Sequence, residues 1–219
     1  MGVLLSLHTA QSSYADPVFG SWRRRLRTTG GSPHLRLLLD VAPAYGYSPD
    51  FVTPEVAGGT IDDALDLVGA TQVERAHREL SAVATRSPAR MRLEPLADRP
   101  RSALALLLDA VRAYWDAALE PTWSAVQSRI GSDLERRRHV LATDGVGALL
   151  ESVGPGVRWR APVLEVDGFK DVDVHLDGRG LVLQPSYFCW HDPTKLRDPE
   201  GRPVLVYPVE HDASVLGRV

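Results

Sequence analysis

The stretch GLVLQPSYFCWHDPTKLRDPEGRPVLVYPV, Gly180 to Val209, decides the fold of this chain. Two apolar segments in it enclose a loop with a continuous run of aromatic and sulfur-bearing side chains: Tyr187, Phe188, Cys189, Trp190 and His191. Large aromatic side chains are costly to expose, so we expect this loop to line a core, a pocket or an interface. The second segment, Val204–Tyr207, is apolar on both faces and therefore predicts a central strand.

The composition fits one globular domain or two small ones. Of 219 residues, 44% are hydrophobic and 24% are charged, which is enough apolar material for a core. The net charge of -3 argues against a surface that binds nucleic acid throughout. The single cysteine excludes an internal disulfide and a zinc site of several thiolates. No apolar run reaches the ~18 residues of a membrane span. The N-terminus does not resemble a signal peptide, so we expect a cytoplasmic protein, and no motif implies a cofactor.

The first 153 residues predict a helical bundle, because apolar residues recur at a spacing of three or four. The two longest helices are expected over residues 104–115 and 123–141, with Pro121 restarting the second. Between the earlier helices and this pair, Ser87–Pro100 is polar and contains proline, which predicts a loop. Two threonine caps are expected, at Thr60 and, with Glu74 completing a capping box, at Thr71.

Gly154-Pro155-Gly156 marks a change from helical to strand periodicity. Beyond it, apolar residues at 172, 174 and 176 alternate with polar residues at 171, 173 and 175, which predicts a strand with one wet face. Asp177-Gly178 predicts a tight hairpin turn into Leu181–Gln184. We therefore expect an α+β fold, in which a helical part (1–153) and a C-terminal antiparallel sheet (154–219) pack together as one domain.

Six segments, in the same order, resemble one known architecture: LLSLH (4–8), FGSWRRRLR (19–27), YSPDFVTP (47–54), RWRAPVLEV (158–166), GRGLVLQPSYFCW (178–190) and PVLVYPV (203–209). They resemble the N-terminal domain of unknown function found in many actinobacterial ArsR-like transcriptional regulators. In those proteins a winged helix-turn-helix follows the domain. The resemblance extends over almost the whole chain.

The chain differs from that architecture at both ends. Members usually begin with a further strand and loop before the position of Met1, and this chain ends at Val219, about where the winged helix would begin. The resemblance implies a regulatory domain that senses an effector or mediates dimerisation. DNA would be contacted only through a winged helix that these residues do not contain. No catalytic or ligand-binding residue is carried over with the resemblance.

An apolar aromatic pocket is the first candidate site, with six candidate residues: Trp115, Trp123, Tyr187, Phe188, Trp190 and His191. Wide aromatic pockets with few polar groups suit flat apolar effectors. The alternative is an ordinary core between helices and sheet, which is the more frequent role of helix-spaced aromatic residues. We expect Cys189 and His191 to belong to that core.

Two clusters raise the possibility of metal binding or catalysis. Asp171, Asp173 and His175 would share one strand face, although the solvent side of a half-buried strand is the simpler interpretation. Cys189 and His191 would share a face if their segment is extended. A metal site needs about three or four ligands, and a cysteine nucleophile needs an orienting third group, which the sequence does not supply. We expect a buried structural cysteine, no metal and no enzyme.

Two other features have simple interpretations. The basic helix Trp22–Arg27 could touch phosphates, but its arginines point to different sides, so we expect a solvated face. Gly58-Gly59-Thr60 favours a plain N-cap turn over an anion-binding nest.

The sequence therefore predicts a homodimeric regulatory domain of an ArsR-like regulator, with an apolar small molecule as its effector. The alternative is a stand-alone small-molecule-binding protein with an apolar aromatic pocket. An enzyme that uses Cys189 or the Asp171, Asp173 and His175 face comes third. The identity of the effector and of the operator is not encoded in any motif.

Overall fold

The computed structural model describes residues 1–14, 16–29, 32–54, 59–169, 172–196 and 202–217. The chain divides into two compact units. The first unit comprises Met1–Thr122 together with the C-terminal residues from Leu216, and the second comprises Trp123–Val215. Asp171 and Gly58, which belong to two of the candidate clusters, lie outside the described residues. The expectation that the helical and sheet parts pack as one domain stays a prediction.

The first unit is helical. Its helices are α1 (Gly2–Gln11), α2 (Asp16–Thr29), α3 (Pro33–Val41), α4 (Ile61–Gly69), α5 (Val73–Arg86), α6 (Arg90–Ala97) and α7 (Pro100–Tyr114), with a 3₁₀ turn at Asp50–Val52. The predicted cap of α4 is confirmed: the Thr60 side chain accepts from the Asp63 backbone N–H, and the Asp63 carboxylate accepts from the Thr60 backbone. The largest side chains that are almost fully buried in this unit are Phe19, Trp22, Leu80, Leu93, Leu107, Leu119 and Leu216.

Two local predictions for this unit are wrong. The stretch predicted as a loop contains α6, because Leu93 and Ala97 lie one turn apart and are buried although their neighbours are polar. Helix α5 begins after Gln72, whose side chain makes no cap hydrogen bond, so the capping box expected at Thr71 is not formed. Burial of Ala76, Leu80 and Val83 on one face stabilises α5 in place of the cap.

A π-helical turn, Trp115–Leu119, follows α7 and leads into the long helix α8 (Glu120–Glu151). Its first turn includes Pro121, as predicted for a restart. Proline has no backbone N–H to donate, so an i→i−4 bond cannot form there, and a wider turn accommodates the interruption. Gly145 interrupts α8 with φ of 84° and ψ of -178°, a conformation that only glycine adopts without strain.

The second unit joins the greater part of α8, from Trp123, to two small sheets. The strands are β1 (Val157–Arg160), β2 (Val163–Val166), β3 (Val182–Ser186), β4 (Thr194–Leu196) and β5 (Val204–Pro208). The change from helix to strand falls between Glu151 and Val157, where Gly154-Pro155-Gly156 predicts it. With helices first and short strands last, the fold is α+β, as predicted.

The sheet is not wholly antiparallel, which corrects one part of the prediction. Strands β1 and β2 form an antiparallel hairpin, but the second sheet has the order β3-β5-β4. In it β5 is parallel to β3, with Val182 opposite Val204, and antiparallel to β4. The chain reverses direction between β3 and β4 and again between β4 and β5, so β5 runs in the same direction as β3. Strand β5 takes the central place, as predicted from its apolar composition.

The strand predicted at residues 172–176 is wrong. The structure assigns no strand, helix or turn to Val172–Leu176, and Val172 and Val174 are about half exposed. A turn is present at the predicted place, where Asp177 and Gly178 both have positive φ, but the predicted hairpin is wrong because the residues before the turn form no strand. Alternation therefore persists in the sequence without a neighbouring strand among the described residues.

The core of the second unit consists of Val153, Val157, Leu205 and Tyr207. Tyr207 also meets a buried ion-pair network on α8, in which Asp133 pairs with Arg136 and Arg137. The Arg137 guanidinium lies over the Tyr207 ring, 5.2 Å from its centroid. Burial and the Asp133 carboxylate raise the pKa of the Tyr207 hydroxyl. No helix within the described ranges combines the length and the apolarity needed to cross a membrane.

Candidate functional site

The aromatic loop after β3 is mostly buried. Tyr187 and Phe188 are almost fully covered, and their rings meet edge to face with centroids 5.9 Å apart. Trp190 is half-buried. His191, by contrast, is exposed, with φ of 60°, so the expectation that it belongs to the core is wrong. The left-handed backbone at His191 is part of a short exposed stretch, and Pro193, directly before β4, is buried again.

His211 is the residue of this cluster that the sequence analysis missed. Its ring lies 5.1 Å from the Tyr187 ring and 4.7 Å from the Trp190 ring, centroid to centroid. Its Nε2 lies 2.8 Å from the Tyr187 carbonyl oxygen. Burial lowers the pKa of His211, while the carbonyl groups of Tyr187 and Cys189 oppose that shift. The signal available in the sequence was its position three residues after the central strand.

The neighbouring residue, Asp212, fixes this cluster to the rest of the second unit. Its carbonyl oxygen accepts from the Tyr187 hydroxyl at 2.7 Å, and its carboxylate pairs with Arg129 on α8. The Ser214 backbone N–H donates to the same carboxylate at 2.8 Å. Loop and helix are thereby held together by polar contacts around an aromatic centre.

The six predicted pocket residues belong to different units. Trp115 lies in the π-helical turn of the first unit, where it is nearly buried, whereas Trp123 and the loop residues belong to the second. Within the second unit, Tyr187 contacts Phe188, and Tyr187 and Trp190 share His211. A common pocket of all six residues stays a prediction.

Cys189 is buried, as expected of a structural cysteine. Its Sγ lies 3.3 Å from the Asp192 carbonyl oxygen. Burial raises the pKa of the thiol to about 12, so the reactive thiolate is strongly disfavoured at neutral pH. Cys189 and His191 do not share a strand face, because the chain there is a loop.

The acidic cluster does not gather into a site in the residues that can be described. Asp173 and His175 are exposed, on a segment that is not a strand, and Asp171 lies outside the described residues. Within the described parts of the chain, no group of three or more histidine, cysteine, aspartate or glutamate side chains is arranged to hold a metal ion.

A groove in the first unit lies between α2 and the π-helical turn. Its lining consists of Trp22, Arg25, Leu26, Thr28, Ala117, Ala118, Pro121 and Thr122. Its volume is about 240 Å³. A cavity of about 150 Å³ is large enough for benzene, so a substituted single ring would fit here. The lining is mixed, with aromatic and aliphatic walls and one cationic side chain.

The helix α2 supplies the polar side of this groove, and its arginines are not one solvated face as expected. Arg23 is buried and donates to the backbone carbonyls of Ser12 and Tyr14. Arg25, which lines the groove, donates to the Leu216 carbonyl oxygen. Arg24 and Arg27 are exposed. Arg23 and Arg25 thus point inward, because backbone carbonyl groups next to α2 accept their hydrogen bonds. The spacing of the arginines in the sequence does not predict these contacts.

The π-helical turn forms the opposite wall. The Trp22 indole N–H donates to the Ala118 carbonyl oxygen at 2.9 Å, so α2 is tied directly to the turn. The hydroxyl groups of Thr28 and Thr122 donate to the backbone carbonyls of Arg25 and Leu119. The two threonine bonds lie within their own helical segments, so it is the Trp22–Ala118 bond that joins the two walls. π-Helical turns occur frequently at functional sites, and Pro121 was the only sequence signal for this one.

The chain matches a known protein family. Residues 57–213, more than two thirds of the chain, match DUF5937, a family of unknown function. The chain belongs to this family. The comparison finds no match among curated proteins and no match among solved structures. Membership of DUF5937 agrees with the expectation of a domain of unknown function, and the family match covers the π-helical turn and all but the last two residues of the second unit.

Proposed function

We propose that this chain is the regulatory domain of an ArsR-like transcriptional regulator. In this proposal it binds a small effector, forms a homodimer and acts on DNA through a winged helix that residues 1–219 do not contain. Six ordered segments that resemble such domains support the proposal, as does membership of a family without an assigned function. The observation that carries it is the link between the groove and the C-terminal segment through Arg25.

Through this link, a molecule bound in the groove can change the position of the C-terminal residues. Arg25 both lines the groove and holds the carbonyl oxygen of Leu216, which is fully buried. A ligand that draws the guanidinium into the groove weakens that hold, so it favours a second arrangement of the segment around Leu216. A ligand can shift such an equilibrium only by its difference in affinity for the two arrangements.

The lining supports, as the class of effector, a single aromatic ring that carries one anionic group. The Trp22 ring and the apolar side chains of Leu26 and Pro121 suit the face of a ring. The planar guanidinium of Arg25 suits a carboxylate, which it binds through two parallel hydrogen bonds. This refines the apolar effector expected from the sequence by adding a charge.

Thermal unfolding in the presence of benzoate tests this site. A ligand that binds only the folded protein raises the Tm, by an amount that grows with its concentration relative to the Kd. We expect benzoate to raise the Tm of the wild type, and uncharged benzamide to raise it much less. Arg24→Ala removes an exposed arginine from the same helix and is the matched control, so it should respond like the wild type.

Two variants separate loss of binding from loss of folding. Arg25→Ala should lose the response to benzoate, and it also releases Leu216. Ala117→Leu leaves Arg25 in place and fills the groove from its exposed opposite wall, so it should lose the response while keeping the Tm of the free protein. An equal response in all four proteins, or none in the wild type, would reject the groove as the site.

Operator binding distinguishes the regulator from the stand-alone binding protein. The DNA that flanks the sequence of this domain should encode a winged helix after it, and the protein containing both parts should bind its own upstream DNA in a mobility-shift experiment. If no winged helix is encoded and family members with the same domain bind no operator, the regulatory role fails. A benzoate response would then favour the binding protein.

A further inference from the structure

The segment Val172–Leu176 keeps the sequence pattern of a strand but has no strand beside it within the described residues. Its apolar side chains are exposed to an unusual degree: 51% for Val172, 49% for Val174 and 38% for Leu176. β-Branched side chains in alternation are typical of a strand with one covered face. Here the face that should be covered is open.

Hydrogen bonds hold the C-terminal end of the segment, and residues on either side of it belong to the core of the second unit. Phe169 and Leu181, on either side of it, pack against the core of that unit. At its C-terminal end, the Arg179 backbone N–H donates to the Leu176 carbonyl oxygen at 2.8 Å, and the Arg179 guanidinium donates to the His175 carbonyl oxygen at 3.1 Å. The exposed alternation therefore lies directly before a hydrogen-bonded turn on the surface of the second unit.

Two copies of this segment are complementary to each other in residue type. In an antiparallel pair of two copies centred on Val174, Val174 faces its own counterpart and Val172 faces Leu176. The same register places Asp173 opposite His175, twice, because the pair has two-fold symmetry. All apolar side chains then lie on one face and all polar ones on the other. A shift of one residue would mix the two faces.

We propose that Val172–Leu176 is a dimerisation strand, which pairs antiparallel with the same segment of a second copy of this chain, in the register centred on Val174. Charge complementarity favours a second copy over an unrelated partner. In this pair the Asp173 carboxylate of the second copy would accept a hydrogen bond from the His175 ring and would lie beside the cationic Arg179, which contacts the His175 backbone and pairs with Asp177. Cross-strand pairs of opposite charge stabilise a sheet, and like charges in the same positions destabilise it.

The size of the interface sets the expected strength of the dimer. A pair of five-residue strands covers far less than the ~800 Å² per partner of a stable interface. The dimer should therefore be weak and depend on protein concentration. This inference deepens the dimerisation part of the proposed function, and it requires neither the effector nor the winged helix.

Cross-linking through introduced cysteines tests the register in the full chain. Opposite residues of an antiparallel pair have Cα atoms about 4.5–5.5 Å apart, within reach of a disulfide. With copper–phenanthroline as the oxidant that accepts the two electrons, Val174→Cys should form a covalent dimer. Val172→Cys should not link to itself, because its two copies are about 13 Å apart along the strands. The wild type is the background control, since Cys189 is buried.

The mixed experiment makes the register specific. Val172→Cys and Leu176→Cys should each form no covalent dimer alone and should cross-link when mixed in equal amounts. The proposed register is wrong if Val172→Cys cross-links to itself as efficiently as Val174→Cys. It is also wrong if Val174→Cys does not cross-link to itself. If the protein dimerises but none of these variants cross-links, dimerisation occurs elsewhere, which rejects this inference and leaves the proposed function standing.

A charge exchange tests the complementarity without cysteines. Asp173→Lys places a cation opposite His175, and His175→Glu places an anion opposite Asp173. We expect each single variant to weaken the dimer about tenfold in sedimentation equilibrium, and the double variant to restore it to within about twofold. A monomer at every concentration for the wild type, or a double variant no better than the singles, would overturn the proposal.

Discussion

Strand β5 and the segment Val172–Leu176 are built from similar residues and have opposite environments. Both are rich in valine and leucine, and both lie in the second unit. Strand β5 lies between β3 and β4, and its Val206 is completely buried. The segment has no neighbouring strand among the described residues, and its valines are half exposed. The residues of a strand decide which of its faces is apolar, but that face stabilises the fold only when a neighbouring element covers it.

The difference lies in what covers each one. Strand β5 has hydrogen-bonded strands on both sides and contributes Leu205 and Tyr207 to the core. Among the described residues, the hydrogen bonds shown by the structure for the segment are those of Arg179 to Leu176 and His175 at its C-terminal end. Three pairs of substitutions measure this contrast. In each pair, we expect the substitution in or beside β5 to change the stability of the second unit more than the one in the segment.

Truncation of an apolar side chain should show the largest difference. Leu205→Ala removes buried atoms from the core and should lower the free energy of unfolding by about 3 kcal/mol. Leu176→Ala removes the same atoms from a side chain that is 38% exposed, and the loss should be below about 1 kcal/mol. Urea unfolding at low protein concentration measures both. Equal losses would show that the segment is packed as tightly as β5.

Removal of a carboxylate charge should give a smaller contrast. Asp133→Asn breaks a buried ion pair beside Tyr207 and leaves Arg137 without its anion, so we expect a loss of about 2 kcal/mol. Asp173→Asn changes an exposed carboxylate and should alter the stability by less than about 0.5 kcal/mol. The same unfolding experiment compares the two. A neutral Asp133→Asn would mean that the network is not needed to hold α8 against β5.

The pH dependence should give the smallest contrast. Burial lowers the pKa of His211, which follows β5, so the unfolded chain binds the proton more readily than the folded one. The stabilisation is complete above the ordinary histidine pKa of about 6.5 and is lost as the pH falls below it. His211→Gln should therefore reduce the fall in Tm between pH 7 and pH 5. The same slope in His211→Gln and in the exposed His175→Gln would contradict this.

Much of the fold was predictable because its signals are local. The helices follow from apolar spacing, and α4 from a cap whose two partners are three residues apart. Helix α6 was missed, since only two of its side chains are buried and Pro95 lies within it. The parallel pairing of β3 and β5 could not be read from either strand, because direction depends on where the intervening β4 is placed.

The candidate sites were less predictable than the fold. The aromatic loop was located correctly, and burial of Cys189 was expected. His211 was missed because its partners, Tyr187 and Trp190, are more than twenty residues away. The groove was missed because α2 and the π-helical turn are separated by nearly ninety residues, and nothing in either segment shows that they meet.

The sequence by itself determined the α+β class, the place where helices give way to strands, the central position of β5 and the structural nature of Cys189. These properties depend on periodicity and on side-chain size, which are written along the chain. Only the tertiary structure decided the parallel strand pair, the inward turn of Arg23 and Arg25 and the open face of Val172–Leu176. A sequence pattern specifies which face of an element is apolar, whereas the element that covers this face is set by contacts between distant residues.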